Sequence, residues 1–382
     1  MVTAASSTTD ASAIARALVS VASANGNLPL SAADRRAVDA AAPVLLGVDD
    51  VLDADRLDPI EPAGLADSVR DVPLRLWTIR MLAVMAFTDG VVESPKLQLV
   101  LDFADALEVR ADFVRAIREL EHDNVRWAAH DAIRQNVASI PGMPLDLEDP
   151  YRPFLPYGGA GADPALTERY RKLADRPPGT LGRVFHDHYI DNGYEFPGQE
   201  WGMAEQWATP HDSLHLLSGY STSAQGELLV AAFTGAMLRA DVDMMESHVL
   251  PTILIYHLGI DINKGLNEGD RDRIAADPSW RDNYQGNVHL GLDPAKVWVA
   301  WDRATAMSED LYSGTWDFWS LVDADLDDLR ARYTIPALDP ADAALADEDI
   351  VRDDYLRPGL PPPPELGPAG TVDRTLANPG GR

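Results

Sequence analysis

The chain has 382 residues, of which 46% are apolar and 24% charged, and its net charge at neutral pH is −29. That length exceeds one typical hydrophobic core, so two domains are expected. A surface this acidic excludes nucleic acid and anionic lipid heads as general partners, because both need cationic contacts. There is no cysteine, which excludes disulfides, thiolate metal sites and a cysteine nucleophile; any metal must be held by His, Asp and Glu.

The opening residues MVTAASSTTDAS lack a basic region followed by a long apolar stretch, so no secretory signal is expected. No run approaches the roughly 18 uninterrupted apolar residues of a membrane span. The expected location is cytoplasmic, with peripheral attachment at a membrane as the extension. The only lysines are Lys96, Lys172, Lys264 and Lys296, and arginine far outnumbers them, a composition that points to a GC-rich, bacterial genome.

The first 140 or so residues read as helices. Ala15 to Ala24 form a helix, Asn25-Gly26 a turn, and Ser31 caps a second helix running to about Leu46. Leu74, Trp77, Met81, Val84 and Met85 recur at spacings of three and four, giving an apolar stripe. Thr88-Asp89-Gly90 ends it, Ser94-Pro95 reads as N-cap and first helical position, and Leu97, Leu101, Ala104 and Leu107 form the next stripe. The plan of helix, turn and capped helix occurs twice, near 11–46 and 74–109, a weak internal repeat. The stretch AVMAFTDGVVESPKLQLVLDFADAL resembles the TerB-like (tellurite-resistance) helical module. That resemblance implies acidic turn residues able to hold a metal, here Asp89 and Glu93. The plainer reading is a turn at Asp-Gly and a favourable charge at a helix start.

Residues 141–176 are rich in Pro and Gly and read as an interdomain linker, with Tyr151, Phe154 and Tyr157 as aromatic pins. A second helical domain is expected over 177–336, with helices near 180–192, 210–218, 223–239, 243–257, 293–312 and 323–333. The tail at 337–382 is acidic and contains Pro361 to Pro364, the composition of an extended or disordered segment.

Within the second domain, Thr209 and Pro210 read as a helix cap and first position, placing His211 and His215 on one face. Leu217 to Ser221 breaks that helix, Ser223 caps the next, and Glu227 sits in its first turns. A helix hairpin would bring Glu227 towards the two imidazoles, a donor set suited to Zn, Fe or Mn. The competing reading makes Asp212 a capping-box acid, His215 a half-buried core histidine and Glu227 a first-turn charge. His186 and His188, two apart, face different sides of a helix and cannot chelate together. His248 and His257 read as packed or capping residues.

The string His211-Asp212-x-x-His215, eleven residues and Glu227 resembles the H-D-x-x-H-x11-E motif of the coenzyme Q biosynthesis protein four family. PPGTLGRVFHDHYIDNGY, GELLVAAF and WDFWSLVDADLDDLRARYTIP agree with it in order, over about 177–336. The resemblance implies an all-helical fold and a divalent metal, zinc in the usual description, held by His211, Asp212, His215 and Glu227. It also implies a role in ubiquinone assembly: oxidative decarboxylation of a prenylated aromatic ring, or organisation of a biosynthetic enzyme complex around a polyprenyl lipid. The additional N-terminal helices and acidic tail depart from that family and widen the substrate to a quinone-like aromatic acid.

The expected fold class is therefore all-α: an N-terminal helical bundle, then an all-helical metal-binding domain. The expected function is a metal-dependent lyase, with Arg183 as a carboxylate contact and the apolar run from Leu228 to Leu238 beside a prenyl tail. A non-catalytic lipid-binding scaffold with a structural metal is the alternative. A third reading is an HD-type phosphohydrolase drawing further ligands from residues such as His188 and Asp241.

Overall fold

The computed structural model describes residues 8–45, 47, 53–122, 124–146, 152–239, 243–258, 291–343 and 357–359. Tyr151, Asp241 and most of the 337–382 tail lie outside them. Among the described residues the secondary structure is helical, without a β-sheet, and an isolated bridge joins Thr180 to Asp325. The chain is all-α.

The first seven helices are α1 (Thr8–Ala22), α2 (Ala32–Val44), α3 (Pro62–Ser68), α4 (Val72–Met85), α5 (Ser94–Ala106), α6 (Asp112–Glu121) and α7 (Val125–Ser139). Ser31 caps α2 with a full capping box: its hydroxyl accepts from the Asp34 N–H, and the Asp34 carboxylate accepts from the Ser31 N–H. The turn before it places Ala24, Asn25 and Gly26 at positive φ. Ser94 does not cap α5. Its hydroxyl donates instead to Glu121 on α6, and Glu93 holds the cap position without a side-chain bond. A helix-to-helix partner outcompeted the local one, which no local signal reveals.

The acidic turn residues of the repeat meet cations from the chain itself. Asp89 accepts from Lys96 Nζ at 2.5 Å and from Arg357 Nε at 2.7 Å, and Lys96 also lies 3.2 Å from Glu93. Arg357 lies 3.3 Å from Asp34 as well. Burial pushes the Asp89 carboxyl up, but these two cations outweigh it and hold its pKa below the ordinary value.

Then come α8 (Pro164–Arg171), α9 (Leu181–Asn192), α10 (Glu205–Ser218) and α11 (Ala224–Met237). A segment with π-type turns at Met245–Val249 and Ile253–His257 surrounds the short α12 (Leu250–Thr252), and α13 (Pro294–Thr305), α14 (Phe318–Leu321) and α15 (Leu326–Arg332) follow. In the stretch read as a linker, Phe154 packs edge-on against Trp207 and the Tyr157 hydroxyl accepts from the Glu205 N–H, so two of the three aromatic pins are in place.

Helix α11 is the central post. From Ala224 to Gly235 every residue is buried, because α10, α13 and the π-type segment surround it. Fully burying a side chain such as Phe233 contributes about 2 kcal/mol. The surrounding elements are tied to the first seven helices by polar bonds. Trp298 Nε1 donates to the Ala37 carbonyl, Asn136 donates to the Ser247 carbonyl, and His257 bridges Phe87 and Leu292. His248 bonds Asn136 and Ser139, so both of these histidines are packing groups.

Candidate metal centre

Helix α10 begins at Glu205, five residues earlier than its Thr-Pro pair suggests. Thr209 is therefore inside the helix, where its hydroxyl bonds Tyr170, and Pro210 is an internal proline. Asp212 is not a first-turn acid, which removes the capping-box reading. The helix stops at Gly219, whose φ of +87° is the left-handed conformation glycine adopts freely. Its last carbonyls are held by two arginines: Arg330 binds those of Leu216 and Leu217, and Arg303 that of Ser218.

Only four residues separate Gly219 from the start of α11, and they close tightly. Ser223 caps α11 by accepting from the Gly226 N–H at 3.1 Å. A Cβ on Gly226 would lie 1.9 Å from the Ser221 carbonyl oxygen, so only glycine permits this approach. Glu227 follows at once and projects from the first turn of α11 onto the histidine face of α10.

There the three side chains converge. His211 Nε2 and His215 Nε2 are 3.2 Å apart. Glu227 Oε2 is 3.2 Å from His211 Nε2, and Oε1 is 3.5 Å from His215 Nε2. Donors bound at zinc distances in a tetrahedron lie about 3.4 Å from one another. The observed edges match that separation, and the set could hold a divalent metal ion.

The second nitrogens and the walls fit the same purpose. His215 Nδ1 lies 3.1 Å from the Tyr220 carbonyl oxygen, to which it donates; this leaves Nε2 as the lone-pair nitrogen. The His211 ring stacks on Trp207, one turn back, with centroids 4.3 Å apart. The His215 side chain is 2% exposed and that of His211 15%, so the set is reached from the His211 side. Burial alone pushes the Glu227 carboxyl up, but the two imidazoles pull it down to about 2. Burial opposes charging of His215, but Glu227 beside it holds its pKa above the ordinary value.

Asp212 is placed differently. It is buried, and its Oδ2 accepts from the Tyr189 hydroxyl at 2.5 Å. It stands beside the three-residue group as a neighbouring charge, its carboxylate held by α9. Arg183 is engaged locally: Nε pairs with Asp187 of its own helix at 2.8 Å, and Nη1 donates to the Ala174 carbonyl in the turn before α9. Two further residues stand at the site: Tyr189, to which the sequence does not point, and His188, which it offers only as an additional ligand in the phosphohydrolase reading. Tyr189 orients Asp212. His188 stacks on His215 with centroids 6.0 Å apart, and its Nε2 is buried with no hydrogen-bond partner. Burial, its largest influence, lowers the His188 pKa, so this ring is neutral. His186 lies on another face, paired with Asp187 and stacked on Phe196. An i, i+2 pair splits in this way on any helix, so His188 could be linked to His215 only by knowing how α9 crosses α10.

No family model matches the chain, and no curated protein matches it. A solved structure from Nostoc punctiforme PCC 73102, named provisionally for ubiquinone biosynthesis, is 16% identical. The match covers 70% of this chain and 97% of that one, with a TM-score of 0.28. With so distant a likeness, the chain's own side chains define the site.

Proposed function

We propose that this chain is a metal-dependent lyase that releases carbon dioxide from a prenylated or quinone-like aromatic acid. His211, His215 and Glu227 hold the cation, with zinc the first candidate. The observation that carries the reading is the convergence of two imidazoles and one carboxylate, a set that leaves at least one coordination position for substrate. The substrate class comes from the motif resemblance. When bound, the cation supplies Lewis-acid stabilisation of the charge that develops as the carboxylate is lost. Zinc does not change oxidation state, so the oxidative form of the reaction needs iron or manganese, which accept the same donors.

The chain's own residues do the remaining work. The Tyr220 carbonyl holds the His215 tautomer, and Tyr189 fixes the Asp212 carboxylate. His188 offers a neutral, unbonded nitrogen able to hold a proton beside the ligand set. Trp207 covers one face of the His211 ring. A prenyl tail lying along α11 beside Gly235 must displace the flexible Met244 side chain, whose methyl lies 3.4 Å from where a Cβ on that glycine would stand.

The test is release of labelled carbon dioxide from a carboxyl-labelled, prenylated hydroxybenzoic acid by zinc-, iron- and manganese-loaded protein. Release that is lost in His215→Ala supports the reading; no release with any of the three overturns it. The near-complete burial of His215 favours a second reading, in which a structural metal staples α10 to α11 in a lipid-binding scaffold for a biosynthetic complex. That reading requires Glu227→Ala to lower the melting temperature of a wild type that forms no product.

A further inference from the structure

Far from the histidines in sequence, the first seven helices carry a cleft of about 590 Å³ between α4 and α6. Arg80 of α4, Arg110 from the preceding loop, and Arg115 and Arg118 of α6 line it, with Asp112 and Asp243 as the carboxylates. The chain as a whole is acidic, with 61 Asp and Glu against 32 Lys and Arg, so four guanidinium groups lining one cleft with two carboxylates stand out, even with Arg110 paired to Asp105 at 2.7 Å. The apolar lining is Leu76, Val109 and Val114.

Of the two lining carboxylates, Asp243 is already engaged. Asp243 Oδ2 accepts from the Phe113 N–H, and Oδ1 accepts from the N–H groups of Met245 and Glu246. Arg80 Nε, by contrast, is buried with no hydrogen-bond partner. Arg115 spends one arm on Asp131 at 2.6 Å. Glu246, fully buried 4.0 Å from Arg115, is held neutral: burial first, and then Asp131 beside it, push its pKa up to about 9. The Asp131–Glu246 pair therefore carries a single negative charge at neutral pH. A buried guanidinium N–H without a partner costs free energy unless an acceptor supplies the missing bond.

We propose that this cleft binds a phosphate group carried by a small molecule, with Arg80 as the inner contact and Arg115 and Arg118 at the mouth. Guanidinium forks match phosphate oxygens in pairs, and the volume falls in the range of small-molecule sites. The acidic surface around it repels extended polyanions, so a small ligand fits where a nucleic acid does not.

The experiment is calorimetric titration of the full chain at low salt with inorganic phosphate and inorganic pyrophosphate, and co-sedimentation with vesicles of phosphatidic acid in phosphatidylcholine. The variants are Arg80→Met and Arg118→Gln. Saturable pyrophosphate binding, weakened at least tenfold in both variants and screened by salt, is expected. Arg80→Met is also expected to melt no lower than wild type, because it keeps the apolar stem and removes a buried N–H that lacks a partner; that separates lost binding from lost folding. Vesicle binding lost in Arg80→Met would place the phosphate on a lipid head, and soluble pyrophosphate binding alone would place it on a free metabolite. No saturable binding of any probe, or equal binding in wild type and Arg80→Met, overturns the proposal.

Discussion

Gly226 is the tightest point of the hairpin that presents Glu227, and Gly226→Ala should separate metal binding from overall folding. The added Cβ would stand 1.9 Å from the Ser221 oxygen, 2.6 Å from its carbonyl carbon and 2.8 Å from its hydroxyl. Backbone atoms form two of these contacts, so the clash cannot be relieved by a rotamer change. Reaching an ordinary contact of about 3.5 Å requires the loop and the helix start to part by roughly 1.5 Å. Metal donors tolerate only about 0.2 Å. The overpacking should cost about 1–3 kcal/mol of stability, which a protein this size survives, while metal affinity falls by about 100-fold or more. Gly235→Ala on the same helix is the control, since its Cβ meets Met244 and Val249 at ordinary distances of 3.4 Å and more. The assay is competition with a chromogenic zinc chelator, beside thermal unfolding followed by circular dichroism. Wild-type affinity in Gly226→Ala would refute the claim that this close approach sets the ligand geometry.

Removing Arg357 leaves Asp34 and Asp89 with Lys96 as their remaining close cation, so Arg357→Ala should cost about 3–5 kcal/mol in urea unfolding, partly recovered by adding Asp34→Asn. Metal-free protein should lose stability on acidification. The Glu227 pKa lies below its unfolded value of 4.5, at about 2, so its contribution is complete above pH 4.5 and disappears as pH falls towards 2. The acid limb in Glu227→Gln should be shallower over that window. His215 acts with the opposite sign: its raised pKa adds stability at low pH, which is lost as pH rises through the folded value. Tyr189→Phe keeps the stack on Phe196 but frees Asp212, and should lower metal affinity by about 10- to 100-fold with a small change in melting temperature.

The helical class and the pairing of His211, His215 and Glu227 were legible because each depends on short-range spacing: four residues along a helix, a break, and a cap. What was not legible depends on which element lies alongside. Thr209-Pro210 has the local form of a helix start, yet α10 begins at Glu205, where the Tyr170 hydroxyl of the packed α8 bonds both Glu205 and Thr209 across that first turn. Ser94 has the form of a cap, yet it bonds across to Glu121. Asp212 belongs to the motif, but its carboxylate is claimed by Tyr189 of α9, a contact between residues 23 positions apart. Arg183 was read as a carboxylate contact, and the carboxylate it meets is Asp187, one turn away on its own helix.

The most direct test of the central claim is a crystal structure of the full chain grown with zinc, with anomalous diffraction collected on both sides of the zinc edge. The account requires one anomalous peak bonded to His211 Nε2, His215 Nε2 and a Glu227 oxygen, and no such peak in His215→Ala crystals. A peak elsewhere with these three side chains still hydrogen-bonded to one another, or no peak at saturating zinc, would contradict it.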